Sequence, residues 1–326
     1  MATRSVRLPR AASILLAAGL LLACSPPPEP ALEQAQDPHF PSDDEIQAIL
    51  DEREAAGGAV GITLGLIEPD GSVRTFTSGS AGEGEPTLSA STLFEIGSIT
   101  KVFTGTLLAE MAARREVALD DPVQRYLPDG VTMPTRNGAE IRLIDLATHR
   151  SGLPRLPGNM DPADPSNPYA DYTVEMMYEF LSDYELPRDV GAEAEYSNLG
   201  VGLLGLVLAL RLEVSWEDAV RERILERLGM GSTGVALSPE MEERMAKGHN
   251  PGGVSVPLWD IPVFAGAGAL RSDVTDMLEF MAAHLGEPTT ELERAMRVAA
   301  DARLPFAPDM EIGLKWISRT TDDPRT

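Results

Sequence analysis

A serine and a lysine, Ser98 and Lys101, stand directly before a run of largely apolar residues, Val102–Ala113. A stretch that is apolar on nearly all sides predicts a helix buried inside a sizeable core. Residues three apart on a helix are neighbours, so the spacing predicts that the Lys101 amine lies beside the Ser98 hydroxyl. The chain is therefore expected to fold around this helix, with Ser98 at its start.

These two residue types suit a nucleophile and its activator. A serine hydroxyl is a weak nucleophile near neutral pH and needs a neighbouring base to take its proton. A lysine serves as that base when its charged form is disfavoured, and the positive end of a helix disfavours a cation. The alternative interpretation makes Ser98 a helix cap and Lys101 an ordinary exposed side chain.

Residues 1–23 have the pattern of a signal peptide. A start with three arginines precedes the apolar stretch Ala11–Ala23, which is too short for a comfortable membrane-spanning helix. The stretch runs into Leu21–Cys24, which resembles a bacterial lipobox, so Cys24 is the predicted lipidation site. We expect a lipid anchor on the periplasmic side of the cell envelope, in the outer rather than the inner membrane because Ser25 follows. A secretory signal with an incidental cysteine is the alternative.

The remaining chain divides into a tether and one domain. Residues 24–42 contain six prolines and predict an extended tether, whereas residues 43–326 are enough for one large domain with its own core. Cys24 is the only cysteine, which excludes an internal disulfide and a cysteine-based metal site.

The charge of the chain restricts its partners. The formal net charge is −24, and residues 1–23 hold three arginines and no acid, so the mature chain has 24 basic against 51 acidic residues, or −27. Such a charge argues against a nucleic acid as partner and against a basic membrane-binding surface.

Local patterns predict strands near the N-terminus and helices over most of the remainder. Helices are expected at 43–56, 98–115, 200–212, 215–229 and 272–286, and strands at 60–66, 73–77 and 310–318. In the first helix, Ile46, Ile49 and Leu50 share one side. The segment Leu153–Asp171 is rich in proline, asparagine and aspartate and predicts a loop, either a plain cover or the wall of a cleft. This order favours an antiparallel sheet with a cluster of helices.

A second polar motif, Tyr196-Ser197-Asn198, precedes the apolar run Gly200–Leu212. A tyrosine phenolate is a usable base when a cation lies beside it. An asparagine two residues later can point to the same side and donate to a substrate carbonyl or orient the lysine. The alternative is a buried tyrosine with a satisfied hydroxyl and an asparagine that caps the helix.

With both motifs in view, the chain resembles the penicillin-recognising serine hydrolases, and in particular the class C β-lactamases and the related D-Ala-D-Ala peptidases and esterases. The resemblance covers roughly residues 45–318 and is carried by the segments Thr92–Lys101, Leu146–Pro154, Tyr196–Gly200 and Ala267–Ser272. It implies an α/β fold (an α+β sandwich): an antiparallel sheet with flanking helices, plus a helical domain, with the site between them.

The resemblance also implies roles for individual residues. Ser98 would be the acylated nucleophile, Lys101 its activator, Tyr196 the general base and Asn198 the residue that binds the substrate amide. The family has a third motif, K-T-G or H-x-G, on a strand beside the nucleophile. The only late lysine lies in Leu314-Lys315-Trp316-Ile317, which does not match, so that motif and the last strands are expected beyond residue 326.

Other chemistries find less support in the sequence. No G-x-S-x-G motif is present, the four histidines lack metal-ligand spacing, and His149 is interpreted as a structural loop residue. We expect a serine hydrolase that forms an acyl-enzyme on Ser98 without cofactor or metal and opens an amide or ester, most readily a β-lactam. A D-Ala-D-Ala carboxypeptidase or an esterase is the alternative within the family. A penicillin-binding or scaffolding lipoprotein with an incomplete site is the non-enzyme alternative. Oligomeric state is left open.

Overall fold

The computed structural model describes residues 40–85, 87–301 and 303–319. The predicted signal peptide, Cys24 and the tether up to residue 39 lie outside the described residues. Helix α1, Asp43–Ala55, begins after Ser42, which forms a capping box with Glu45. Ile46 and Leu50 of α1 are buried, but Ile49 is 56% exposed, so its predicted place on the packed side was wrong. Position 49 lies at the edge of the stripe formed by positions 46 and 50, and that edge faces solvent.

A β-hairpin follows α1. Strands β1, Gly61–Ile67, and β2, Val73–Gly79, pair antiparallel from Gly61 opposite Gly79 to Ile67 opposite Val73. Helix α1 packs on β2. The two predicted strands are confirmed, each within two residues of its expected ends.

Two long apolar helices form the centre of the largest hydrophobic cluster. They are α2, Thr100–Ala113, and α5, Asn198–Leu212. A short helix α9, Ala265–Gly268, packs against both, and its Gly266 approaches Gly205 of α5 so closely that an added Cβ on either would lie 3.2 Å from the other's Cα. Thr104 of α2 donates to the Gly266 carbonyl at 2.7 Å. These contacts hold the backbone carbonyls of α9 close to the start of α2.

The remaining helices surround this centre. They are α3 (Leu143–Ala147), α4 (Val174–Asp183), α6 (Trp216–Val220), a π-helical segment (Arg221–Leu225), α7 (Glu226–Leu228), α8 (Pro239–Glu242), α10 (Val274–Leu285) and α11 (Glu291–Ala300), with 3₁₀ turns at Gly97–Ile99 and Val123–Tyr126. The sequence did not predict α3, α4 or α11. Ser272 does not begin α10: the cap is Asp273, whose carboxylate accepts from Asp276, because Ser272 is already paired in a strand.

Within the described residues the other strands form three small antiparallel sheets. Strand β3 (Phe94–Glu95) pairs with β6 (Arg271–Ser272), β4 (Gly248–His249) pairs with β5 (Ser255–Val256), and β7 (Leu304–Ala307), β8 (Met310–Ile312) and β9 (Ile317–Arg319) form a meander. The single strand predicted at 310–318 is therefore two strands, since the chain turns at Gly313–Trp316, with Lys315 at φ 72°. The mixture of helices and antiparallel sheets agrees with the predicted fold class.

The apolar helices are too short to span a membrane singly. In the part of the chain that the structure describes, no single helix is long and apolar enough to cross a membrane. Helix α5 and residues 216–228 pass that test only when taken together, with a bend of 78° between them. Most of α5 is buried within the protein, as the sequence predicted.

Candidate active site

Ser98 lies in the 3₁₀ turn Gly97–Ile99 that leads into α2, and its side chain is exposed. The turn opens with Gly97 at φ 50°, a left-handed conformation that suits glycine. Ser98 faces a cavity of about 90 Å³, here called the cleft, which is lined by Gly97, Ser98, Tyr169, Asn198, Trp259, Ile261, Phe264, Ala267 and Gly268. A small substrate can therefore reach the hydroxyl.

Lys101 lies beside Ser98, as the spacing predicted. Its Nζ is 3.0 Å from Ser98 Oγ and donates to the Ala267 carbonyl of α9 at 2.5 Å. The side chain is only 3% exposed. Burial, and secondarily the charge of Arg155, lower the pKa of Lys101 from 10.5 to about 7. Burial rather than the helix end is thus the main reason that the amine can be neutral near pH 7.

Tyr196 completes the contacts of Ser98. Its hydroxyl donates to Ser98 Oγ at 2.7 Å, although the two residues are 98 positions apart. A serine hydroxyl can accept two hydrogen bonds and donate one, so reversal of either contact lets Ser98 give up its proton. The ring of Tyr196 lies 5.0 Å from Lys101 Nζ and 5.1 Å from the Arg155 guanidinium carbon. The structure therefore brings both predicted motifs to one oxygen atom.

His149 supports the segment that carries Tyr196. The histidine is buried, its Nδ1 accepts from the Ser197 N–H at 3.1 Å, and its ring packs 4.6 Å from the Tyr196 ring. Burial, with Lys315 and Lys101 nearby, lowers the pKa of His149 far below its ordinary value. These contacts support the interpretation of His149 as a structural residue, and they show that it supports the site.

Asn198 is the first residue of α5 and lines the cleft. Its backbone N–H donates to the Arg155 carbonyl at 2.9 Å. Its side-chain oxygen is buried and has no hydrogen-bond partner among the described residues. An unpaired buried acceptor is costly, so a ligand that donates an N–H to this atom would satisfy it.

Sequence reasoning missed two groups near the site. Arg155 directly follows the segment Leu146–Pro154, and that adjacency was the signal available for it. Lys315 is 5% exposed and donates to the Leu146 carbonyl at 2.7 Å. Burial, with Lys101 nearby, lowers the pKa of Lys315 well below its ordinary value. Lys315 thus lies buried against the Leu146 carbonyl of α3. The expectation of a third motif beyond residue 326 stays a prediction.

The loop Leu153–Asp171 forms part of the cleft wall, which was the functional alternative for this segment. Tyr169 from the loop lines the cleft and lies 5.4 Å from the ring of Trp259. The indole N–H of Trp259 donates to the Ser166 carbonyl at 3.1 Å. Burial raises the pKa of Tyr169, whereas hydrogen bonding by Asn198 and the charge of Arg155 oppose that rise.

The described ranges contain no group of three or more histidine, cysteine, aspartate or glutamate side chains placed to hold a metal ion.

Comparison with known proteins identifies the family of this chain. A family model described as Beta-lactamase matches residues 44–325. The chain belongs to the beta-lactamase family. A D-alanyl-D-alanine-carboxypeptidase/endopeptidase, AmpH, from Escherichia coli K12 is 32% identical over 276 residues, which cover 83% of this chain and 69% of that protein. A beta-lactamase from Lysobacter lactamgenus is 26% identical over 276 residues, which cover 82% of this chain and 67% of that enzyme.

Solved structures show the same fold. A beta-lactamase/D-alanine carboxypeptidase from Pseudomonas syringae superposes with a TM-score of 0.73 at 24% identity, covering 85% of this chain and 74% of the other. A class C beta-lactamase from Rhodobacter sphaeroides gives a TM-score of 0.69 at 26% identity, with 81% and 74% covered. The predicted family and α/β fold are confirmed, and the chain is a serine hydrolase of the beta-lactamase family. The individual roles of Ser98, Lys101, Tyr196 and Asn198 stay predictions.

Proposed function

We propose that this serine hydrolase cleaves amide bonds through an acyl-enzyme on Ser98, and that its substrates are peptides ending in D-alanyl-D-alanine. The observation that carries the mechanism is the convergence on Ser98 Oγ of Lys101 Nζ, at 3.0 Å, and Tyr196 Oη, at 2.7 Å. A hydroxyl with two proton-handling groups at hydrogen-bond distance is the arrangement that an activated serine nucleophile requires.

Acylation follows from this arrangement. Ser98 Oγ attacks the substrate carbonyl carbon while its proton passes to the pair formed by Lys101 and Tyr196. The bond between the carbonyl carbon and the leaving nitrogen breaks, and that nitrogen receives the proton from the same pair. In deacylation a water molecule attacks the ester carbon and gives its proton to Tyr196 Oη, while the Tyr196 hydroxyl proton passes to Ser98 Oγ as the ester bond breaks.

Asn198 favours an amide over an ester substrate. The residue lines the cleft, and its buried side-chain oxygen has no partner among the described residues, so a substrate N–H is the donor that this acceptor lacks. A site built to bind an N–H discriminates strongly against an analogue that lacks one. An esterase is therefore the less favoured alternative.

Two observations bear on the choice between peptide and β-lactam. The AmpH relative, at 32% identity, is described as a D-alanyl-D-alanine-carboxypeptidase/endopeptidase, which supports the peptide. The second candidate is β-lactam hydrolysis, which was the first expectation from the sequence; the family model and the Lysobacter relative support it. Both substrate classes acylate the same serine, so the difference between them rests on deacylation.

We also propose that the enzyme acts in the cell envelope, held on the membrane by a lipid on Cys24. The support for this is the lipobox-like segment Leu21–Cys24 and the proline-rich tether after it. A substrate in the bacterial envelope would suit that location.

The test combines labelling and turnover. Wild type and Ser98→Ala are compared for covalent labelling by a fluorescent penicillin, for D-alanine release from a D-Ala-D-Ala peptide and for hydrolysis of a chromogenic cephalosporin. The proposal expects labelling and D-alanine release by wild type and neither by Ser98→Ala. Labelling without turnover of either substrate would contradict it and favour the penicillin-binding lipoprotein. Cephalosporin turnover without D-alanine release would favour the second candidate.

A further inference from the structure

We infer that Arg155 is a specificity residue that binds a carboxylate on the acyl side of the substrate; this rests on the proposed acylation of Ser98. Arg155 is exposed, and its guanidinium carbon lies 5.1 Å from the centre of the Tyr196 ring. Because the Tyr196 hydroxyl donates to Ser98 at 2.7 Å, only one tyrosine side chain separates this cation from the nucleophile. A bound substrate of modest size therefore reaches both.

Arg155 is tied to Asn198, a residue that lines the cleft. The Asn198 N–H donates to the Arg155 carbonyl at 2.9 Å, so the two residues are fixed to each other through the backbone. Asn198 is the residue proposed to accept an N–H from the substrate amide. Because the Arg155 guanidinium itself lies 5.1 Å from the Tyr196 ring, a carboxylate attached to the same acyl group would fall near it.

In the part of the chain that the structure describes, the Arg155 guanidinium has no acidic partner. Among the described residues, no carboxylate lies within 4.0 Å of Arg155, and none of the residues that line the cleft is acidic. The nearby groups are the Tyr196 ring and the Lys101 amine, and the charge of Arg155 contributes to the lowered pKa of that amine. An anionic ligand would remove this unfavourable pairing of cations.

The chemistry of arginine suits a carboxylate. A guanidinium that stacks on an aromatic ring uses its flat face, and the N–H groups along its edge stay free to bind both oxygens of a carboxylate. The protein as a whole has a formal net charge of −24 and repels anions. The overall negative charge of the protein disfavours an acidic acyl group. The local positive charge of Arg155 therefore favours such a group against that general repulsion.

The experiment measures acylation of Ser98 by two penicillins that differ only in the acyl side chain, one with a carboxylate and one with its carboxamide. The ring carboxylate is common to both and cancels in the ratio of their second-order rate constants. Rates are taken at pH 9, where Lys101 is mostly neutral, so that a change in its pKa contributes little. Arg155→Gln is compared with Arg155→Lys and with Arg294→Gln, an exposed arginine of α11 that donates to the Thr289 carbonyl.

The ratio of carboxylate to carboxamide rates should fall about 5- to 20-fold in Arg155→Gln, a range between an exposed ion pair and a charge-assisted hydrogen bond. Arg155→Lys should recover part of the loss, and Arg294→Gln should leave the ratio as in wild type. An unchanged ratio in Arg155→Gln, with a wild-type melting temperature, would overturn the inference. Labelling needs no turnover, so the two proposals can fail separately. Acylation without D-alanine release would refute the proposed peptidase, and the ratio of carboxylate to carboxamide rates would still decide about Arg155. Absence of labelling in wild type would overturn both.

Discussion

The rate of Ser98 acylation should rise with pH and level off close to pH 7. The reason is that Lys101 accepts the serine proton only as a neutral amine, and burial together with Arg155 lowers its pKa from 10.5 to about 7. The sign follows from the charge: below the pKa the amine is protonated and inactive, and above it the amine is free. Raising the pH through 7 therefore activates the enzyme.

The size of the effect can be worked out from that shift. At pH 7 about half of the Lys101 amines are neutral, whereas an ordinary lysine with a pKa of 10.5 would be neutral in about one molecule in 3,000. The environment thus raises the active fraction roughly 10³-fold at pH 7. Below pH 7 the logarithm of the rate constant should fall by one for each pH unit.

The assay is the second-order rate constant for labelling by a fluorescent penicillin between pH 5 and pH 10. Lys101→Arg is the matched variant, because arginine keeps the positive charge but is not deprotonated in this range. It should be at least about 10²-fold slower and should lack the rise near pH 7. In Arg155→Gln the rise should move to higher pH, since the charge that helps lower the pKa of Lys101 is gone.

Two results would refute this reasoning. One is a rate that keeps rising with unit slope up to about pH 10, which would show an ordinary amine. The other is a Lys101→Arg variant with most of the wild-type rate, which would make Lys101 an electrostatic partner rather than a base. Melting temperatures at each pH separate these results from simple unfolding.

Three further predictions concern other parts of the molecule. Tyr196→Phe keeps the ring contact with His149 and should lower turnover by about 10²–10⁴; near-normal turnover would leave Tyr196 a packing residue. Gly105→Ala would place a Cβ 1.9 Å from the Leu314 carbonyl oxygen, so thermal melting should show a loss of about 1–3 kcal/mol in unfolding free energy. Gly231→Ala, with open space around the added Cβ, is its control, and equal losses in both would contradict the packing argument. Cys24→Ala should move the protein from the membrane fraction to the soluble fraction, and unchanged retention would exclude the lipid anchor.

Much of the local organisation could be predicted from the sequence. The apolar runs predicted α2 and α5, alternation predicted β1, and the turn after it predicted β2, because these signals depend only on neighbours along the chain. The spacing of Ser98 and Lys101 predicted their contact for the same reason, since three residues make about one helical turn. Short elements such as α3 and β3 lack such a period, and the sequence did not reveal them.

The tertiary structure decided which distant motifs come into contact. The contact between Tyr196 and Ser98 spans 98 positions, and the one between Lys101 and the Ala267 carbonyl spans 166. These distances depend on how α2, α5 and α9 pack, and no local pattern encodes that. The same packing buries Lys101, and burial is the main cause of its lowered pKa. The sequence by itself thus identified which side chains could do the chemistry, whereas the fold decided that they share one oxygen atom and that the lysine can be neutral, because both depend on desolvation and contact between distant segments.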